Sequence, residues 1–402
     1  MEILEREEAD EGELLVVNFG PQHPATHGTL RSVFYVDGEQ IVKAVPDLGY
    51  LHTGFEKLAE HMTYTQWIAT TDRMNYISAI CNNVGYIQAV EEMLDVEVPL
   101  RAQYLRVILA ELSRISEHIL YIGLLGMDCG AFTVMLWAFR EREKVYDIIE
   151  SCCGSRLTTT YTRIGGVMRD APPSFKDAVK DFLRNFPQTY EEILAMLHKN
   201  RIFQNRLRDV GVLTKEEAID YGVTGPILRA SGVEYDVRKA RPYLIYPELD
   251  FDIPTVENGD CYARYWQRAL EIKESLRIVE QALEKLPEGP YENPDYKYGL
   301  PMKNDVYTDM ESLIHHFKHI MPGHDRLTPE FGEEIYSATE APNGELGFYI
   351  VGTGTSVPYR IRIHPPSFVN YQVFPKLVEG GLLADAIPCL ASLWIIAGEL
   401  DR

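Results

Sequence analysis

The 402-residue chain reads as an α+β protein, a predominantly helical core bundle with β-hairpins in its N- and C-terminal regions. Three observations predict this class. Apolar residues recur every three or four positions through most of the chain's middle. Short β-prone runs near both ends read as strands. The runs 30–36 and 41–45 flank Asp37-Gly38, a hairpin turn dipeptide.

Taken in order, 14–19 (LLVVNF), 30–36 and 41–45 are strands, and 55–70 is helical. Ile77, Ile80, Val84, Ile87, Val90 and Leu94 repeat at helical spacing, so a helix is expected to start near Thr71 or Asp72. Leu105, Ile108, Leu109, Leu112, Ile115, Ile119 and Ile122 mark a second. Helices over 132–151, 175–198, 262–286 and 307–320 follow, then strands 346–351 and 357–363 around a Gly/Thr/Ser turn. The apolar run 381–398 contains Asp385 and Pro388 and is marginal in length for a membrane span, so it reads as one buried C-terminal helix. Residues 1–402 are expected to form one intertwined domain. Its sub-regions are 1–48 (N-terminal β-hairpins), 49–165 (helical bundle), 166–300 (helices with long loops) and 301–402 (helix, β-hairpin and buried C-terminal helix).

Asp and Glu outnumber Lys and Arg by 60 to 39, a net charge of -21, which argues against nucleic acid and against adsorption to an anionic bilayer. The six cysteines form no CxxC and read as buried free thiols, the adjacent Cys152 and Cys153 included. The N-terminal stretch MEILEREEADEGE is acidic and lacks a signal core. GTGTS at 352–356 lacks the third glycine of a dinucleotide loop and reads as a hairpin turn, so the chain is not expected to bind NAD itself. His315, His316 and His319 lie on a helix without any HExxH and read as surface or interface residues; no metal is expected.

GPQHPATHG (20–28) is the unusual segment. Its histidines, His23 and His27, are four apart, but Pro24 forbids a helical clamp, and the segment connects two strands. Asp128 is expected to cap the helix beginning near Ala131. Tyr76 is expected in the first turn of its helix, one turn after Arg73. Taken singly, each of these residues has an ordinary structural role, and spacing does not join them.

A resemblance does. GPQHPATHG, GYLHTGFEKLAEHMTYTQ (49–66), TTDRMNY (70–76), AELSRISEH (110–118), FRERE (139–143), RIGGV (163–167), RASGVEYDVRKARPY (229–243), GELGFYIVGTG (344–354) and PYRIRIHPPSF (358–368) together resemble the D-type subunit family of NADH-quinone oxidoreductase, the quinone-site subunit of respiratory complex I. The likeness runs in order from about Asn18 to the C-terminus. That family is related to the large subunit of nickel–iron hydrogenases, so a hydrogenase-large-subunit-like fold is implied. The hydrogenase motif Arg-x-Cys-Gly-x-Cys falls on 73–78, where Asn75 and Ser78 replace the thiols, and 394–399 also lacks cysteine. Without thiolates the metal is lost.

The resemblance implies that quinone is reduced to quinol in the emptied cavity, with the head group between His27 and Tyr76 and with Asp128 pairing the histidine. These three are the catalytic residues it implies; His23 would only support the loop. It places Arg73 near a partner's iron–sulfur cluster. No cofactor is expected on this chain: FMN, NADH and iron–sulfur clusters belong to partner subunits. The implied partners are other complex I subunits, above all the small subunit carrying the terminal cluster and the membrane subunit at the quinone entrance. The implied location is peripheral, on the cytoplasmic face of a bacterial plasma membrane, in a proton-translocating complex inactive without its other subunits. A ferredoxin- or hydrogenase-linked complex and a non-catalytic scaffold are the alternatives. Thr158 stands where many family members carry a histidine near the cluster, so the cluster potential is expected to depend weakly on pH.

Overall fold

The computed structural model describes residues 2–9, 12–26, 28–295, 297–323 and 326–402. Four antiparallel strands open the chain: β1 (Glu2–Ala9), β2 (Gly12–Phe19), β3 (Arg31–Asp37) and β4 (Gln40–Asp47), hydrogen-bonded in that order. The β3–β4 turn is the expected Asp37-Gly38, with Gly38 in the left-handed region that favours glycine. Alternation on β3 buries Ser32, Phe34 and Val36 and leaves the intervening residues less buried. Sequence reasoning did not anticipate β1, because its run of charges carries no apolar alternation; backbone pairing with β2 makes it a strand.

The expected helix 55–70 is two helices, α1 (Phe55–Ala59) and α2 (Tyr64–Thr71). Thr63 accepts from the Gln66 N–H while Gln66 accepts from the Thr63 N–H, a capping box that starts α2 afresh. The next helix, α3 (Ala79–Met93), begins later than expected. Asn75 Oδ1 takes the N–H groups of Ile77 and Ser78, and the Asn82 amide bonds the carbonyls of Thr71 and Asn75. Those side-chain bonds hold 72–78 in turns, a local competition with helix that asparagine is suited to win.

Then come α4 (Leu100–Asp128) and α5 (Phe132–Cys153), a small hairpin of β5 (Thr162–Arg163) and β6 (Gly166–Val167), and α6 (Phe175–His198). Short helices α7 (Arg201–Leu207), α8 (Lys215–Asp220), α9 (Pro226–Arg229) and α10 (Val237–Ala240) lead to α11 (Cys261–Glu284). After α12 (Lys303–Thr308) and α13 (Met310–Ile320), a three-stranded antiparallel sheet is built from β7 (Phe331–Ala341), β8 (Gly344–Thr353) and β9 (Arg360–His364). The β8–β9 connection holds the GTGTS stretch, as expected; β7 was not anticipated.

The C-terminal segment corrects another expectation. Instead of one helix over 381–398 it contains α14 (Pro366–Tyr371) and α15 (Phe374–Val378) upstream, then α16 (Ala386–Leu393) and α17 (Ala397–Asp401). The break falls at Trp394, whose φ of 57° lies in the left-handed region, costly for a residue with a Cβ. No described helix is long and apolar enough to cross a membrane.

α4 is the axis of the molecule, about 43 Å long at 1.5 Å per residue. It packs against α5, α11, α3 and α16. Its buried side chains lie on every face, Arg106, Glu111, Arg114, Glu117 and His118 among them. A helix covered all round must pair its polar side chains with protein groups, and that necessity builds the site.

Candidate functional site

The turn before α3 presents Tyr76. Arg73 points out and is exposed, with Nη1 2.5 Å from the Ala69 carbonyl. Asp72 beside it is buried; desolvation raises its carboxyl to about 6, and the Asn83 amide donates to it at 2.6 Å. Tyr76 is half-buried, and burial together with the nearby Glu117 charge raises its phenol above the usual range. It sits three residues before α3, not in the helix's first turn. The nearest backbone N–H groups, those of Ile77 and Ser78, are already taken by Asn75. They therefore add no free donor for a developing anion.

Behind Tyr76, the two segments aligned with the hydrogenase thiol motifs meet on one carboxylate. The Asn75 amide lies 3.2 Å from both Glu117 oxygens, and Trp394 Nε1 donates to Oε1 at 2.9 Å. The left-handed kink at Trp394 is what aims the indole at α4. Gly398 lets α17 approach the turn: a Cβ there would stand 2.5 Å from the Arg73 carbonyl oxygen and 3.5 Å from the Tyr76 ring. Glu117 and Glu399 are both fully buried, and burial raises both carboxyls, Glu399 to about 7.

Asp128 is the last residue of α4, not the cap of α5. The chain turns there because Gly130 N–H bonds the Met127 carbonyl and Ala131 N–H the Gly126 carbonyl, with Gly130 at positive φ, a Schellman closure. The Asp128 carboxyl is open to solvent at one side, yet apolar surroundings raise it to about 6 by desolvation. The helix C-terminus, where carbonyl dipoles repel a carboxylate, acts in the same direction.

Asp128 lines a cavity of about 190 Å³ with Pro24, Ala25, Leu124, Leu125, Met127, Leu390, Ala391 and Trp394. The 20–28 connection therefore reaches the end of α4, as a pocket-lining loop. Within it, His23 Nδ1 accepts from the Ala25 N–H at 3.1 Å, and its ring lies 4.9 Å from that of Phe19. Thr26 Oγ1 donates to the loop carbonyls of Pro21 and His23. His23 supports the loop, and desolvation lowers its pKa. His27 lies outside the described residues. Tyr76 does not line this cavity; the charge of Glu117 acts on it, and Glu117 accepts from the cavity-lining Trp394. Two cavities of about 420 Å³ and two of about 320 Å³ are larger, and none of them is lined by Arg73, Tyr76 or Asp128. Of the 420 Å³ pair, one sits among mutually paired charges at the C-terminus and the other between Ile68, Arg163 and Leu300. Of the candidate residues described, Asp128 alone lines the smaller cavity, beside Pro24 and Ala25 of the 20–28 loop.

The remaining motifs have structural roles. Cys152 and Cys153 are buried free thiols, and burial raises Cys152 to about 11. His319 is buried, not at the surface, and Arg326 Nη1 lies 3.4 Å from both His319 Nε2 and His315 Nδ1. Among the described residues no group of three or more His, Cys, Asp or Glu could hold a metal ion. Sequence reasoning missed Glu117, Trp394 and Glu399. Glu117 falls between the apolar positions of its helix; the AELSRISEH stretch that contains it was the signal, and its flanking residues Ser116 and His118 are equally buried.

The chain is similar along its whole length to known proteins. The family described as respiratory-chain NADH dehydrogenase, 49 Kd subunit, matches residues 128–402. The D-type NADH-quinone oxidoreductase subunit of Methylacidiphilum infernorum is 48% identical over 100% of this chain and 96% of its own. A D-type subunit of Chloroherpeton thalassium is 50% identical over 96% of this chain and 87% of its own. A C/D-type subunit of Aquifex aeolicus is 48% identical over 96% of this chain and 66% of its own.

Proposed function

The chain belongs to the respiratory-chain NADH dehydrogenase 49 kDa subunit family, and from that premise we propose that it forms the pocket in which quinone is reduced to quinol. It is a subunit of an NADH-quinone oxidoreductase. The finer reading rests on one observation: Pro24 and Ala25 of the 20–28 loop, the α4 terminus with Asp128 and Trp394 enclose a common cavity, and Trp394 donates to Glu117, whose charge acts on Tyr76.

Quinone reduction takes two electrons and two protons, and the ring oxygens gain negative charge as electrons arrive. A phenol raised above its usual range stays protonated at neutral pH and offers an O–H to such an oxygen. His27, adjacent to the 3-10 turn Pro24–Thr26, is the proton donor that the resemblance supplies. Asp128 favours its imidazolium before transfer and needs a new partner afterwards, a charge rearrangement able to bias a conformational change. Electrons come from a partner's iron–sulfur cluster, toward which the exposed Arg73 is offered, and FMN and NADH are held elsewhere in the complex. The chain sits peripherally on the cytoplasmic face, against the small cluster-bearing subunit and the membrane subunit at the quinone entrance.

The test uses the assembled complex carrying His27→Ala, Tyr76→Phe or Asp128→Asn. Quinone reduction is expected to fall about 100-fold or more in the first two and less in the third, while NADH oxidation by an artificial acceptor persists. Unchanged turnover and quinone affinity in all three would point to a scaffold instead. Purification without a flavin-bearing NADH-oxidising partner would favour a ferredoxin-linked complex. Thr158 offers a second measurement: a redox titration of the terminal cluster should show a shallow pH slope near neutrality, and a steep one would refute its assignment.

A further inference from the structure

Glu117 and Glu399 are the two fully buried carboxyl groups behind Tyr76, and their surroundings differ in kind. Glu117 receives three N–H contacts, two from the Asn75 amide and one from Trp394. The cations of Arg268 on α11 and Arg142 on α5 are close enough to act on it, and Tyr146 on α5 and Tyr76 feel its charge. These contacts favour the anion, against the burial that raises the carboxyl overall. At Glu399 the Ser367 hydroxyl donates to Oε2, and the Asn343 side chain lies within reach. Among the described residues its buried Oε1 has no hydrogen-bond partner, and neither has Oδ1 of Asn343, whose side chain reaches Glu399. A buried carboxylate oxygen without a bonded donor is a costly arrangement. A proton on Glu399 Oε1 supplies the missing donor. The other charges on α17 are committed elsewhere: Asp401 accepts from Gly49 and Leu51 N–H, and Arg402 lies 3.5 Å from Glu56.

We propose that Glu117 and Glu399 form a proton-holding pair behind the Tyr76 hydroxyl, with the proton on Glu399 and the negative charge on Glu117. The pair deepens the quinone-site reading and rests on it for its role. While Glu399 holds its proton, Tyr76 faces one buried negative charge. When Glu399 ionises, a second buried negative charge stands beside Glu117, and giving up the phenolic proton becomes harder. Glu399 is thus a positioning residue that acts through the electrostatics of Tyr76, with no covalent step of its own. Its carboxyl, pushed up to about 7, changes charge near neutrality, in agreement with the hydrogen-bond argument. Burial is the largest cause and the Glu117 charge adds to it.

The experiment is an infrared pH titration of the assembled complex, following carboxylic-acid C=O absorption, beside the pH profile of quinone reduction. The wild type should show an acid band lost across neutrality. Glu399→Gln, which keeps the shape and supplies an amide N–H to Asn343, should lack that band and carry the alkaline limb of the rate profile upward by about one pH unit or more. Glu117→Gln should keep the band and move its loss to lower pH, because the neighbouring charge is gone. A wild-type-minus-Glu399→Gln difference that holds no acid band titrating between roughly pH 5 and 9 overturns the proposal, since other raised carboxyls such as Asp72 and Asp128 cancel in it. A rate profile unmoved in Glu399→Gln overturns its coupling to Tyr76. The infrared titration judges the pair itself, whereas turnover of Tyr76→Phe judges the quinone site, so the two failures are told apart.

Discussion

The two halves of α4 carry carboxylates in opposite conditions. In the first half, Glu111 accepts from Tyr246 and Ser275 at 2.6 and 2.7 Å and lies 3.0 Å from Arg238 and 3.3 Å from Arg114. Burial opposes its ionisation, yet Arg114 and Arg238 hold it below the ordinary range. Around it, Arg229 bridges Glu271 and Glu340 at 2.8 Å each, and Arg238 pairs with Asp236 at 2.6 Å. His118, 2.9 Å from Glu271, is lowered to about 4 by burial and donates as a neutral imidazole. In the second half, Glu117 and Asp128 have no guanidinium within bonding distance among the described residues, and both are raised. Burial alone does not decide ionisation; the proximity of a fixed cation does. The compensated half fastens α4 to α9, α10, α11 and β7. The other half holds its carboxyls above the ordinary range, Asp128 at about 6.

The largest test of that contrast removes a cation from the first half. Arg229→Ala leaves Glu271, Glu340 and Asp236 short of a partner and should destabilise the chain by about 3–5 kcal/mol, read as a lowered denaturation midpoint or lost assembly. A loss below about 1 kcal/mol would mean the network contributes little. Next, Asn75→Ala strips amide contacts from both Glu117 oxygens and from the turn before α3. A cost of about 1–3 kcal/mol is expected by thermal unfolding, with the Glu117 carboxyl rising further.

The smallest effect concerns Asp128, and its sign is opposite to that of Glu111. A raised folded pKa means the native state binds the proton more tightly than the unfolded chain, so stability declines as pH rises from about 4 to about 6. Asp128→Asn should therefore stabilise at pH 7, by only about 0.5 kcal/mol because solvent screens the open side, with the gain vanishing below pH 4. Glu111→Gln should do the reverse. Its native contribution is present above the ordinary carboxylate range and is lost as pH falls through its depressed folded value. Paired stability curves against pH for the two variants would expose a wrong sign in either half.

The fold class was legible because helix and strand periods are local. The helix at 175–198 matches α6, and the helices through Leu105–Ile122 and at 262–286 match α4 and α11 closely. The failures fall where side chains overrule local propensity. Thr63 restarts a helix, and Asn75 and Asn82 hold open the turn carrying Tyr76. Trp394 breaks the C-terminal helix to reach Glu117. Charge-rich β1 needed a partner strand before it could be seen as one.

By itself, then, the chain's order of residues determined where most helices lie, which cysteines could not serve as ligands, and which family's motifs it carries. Folding alone decided that Asn75, Glu117 and Trp394, far apart along the chain, meet on one carboxylate. It likewise decided that Asp128 ends a helix beside the 20–28 loop and that Glu399 lies buried with one oxygen unpartnered among the described residues. The reason is one of range. Backbone periodicity is set within a few residues, whereas a carboxyl group's charge answers to whatever dipoles and cations lie within several ångströms, and only the packed chain fixes those.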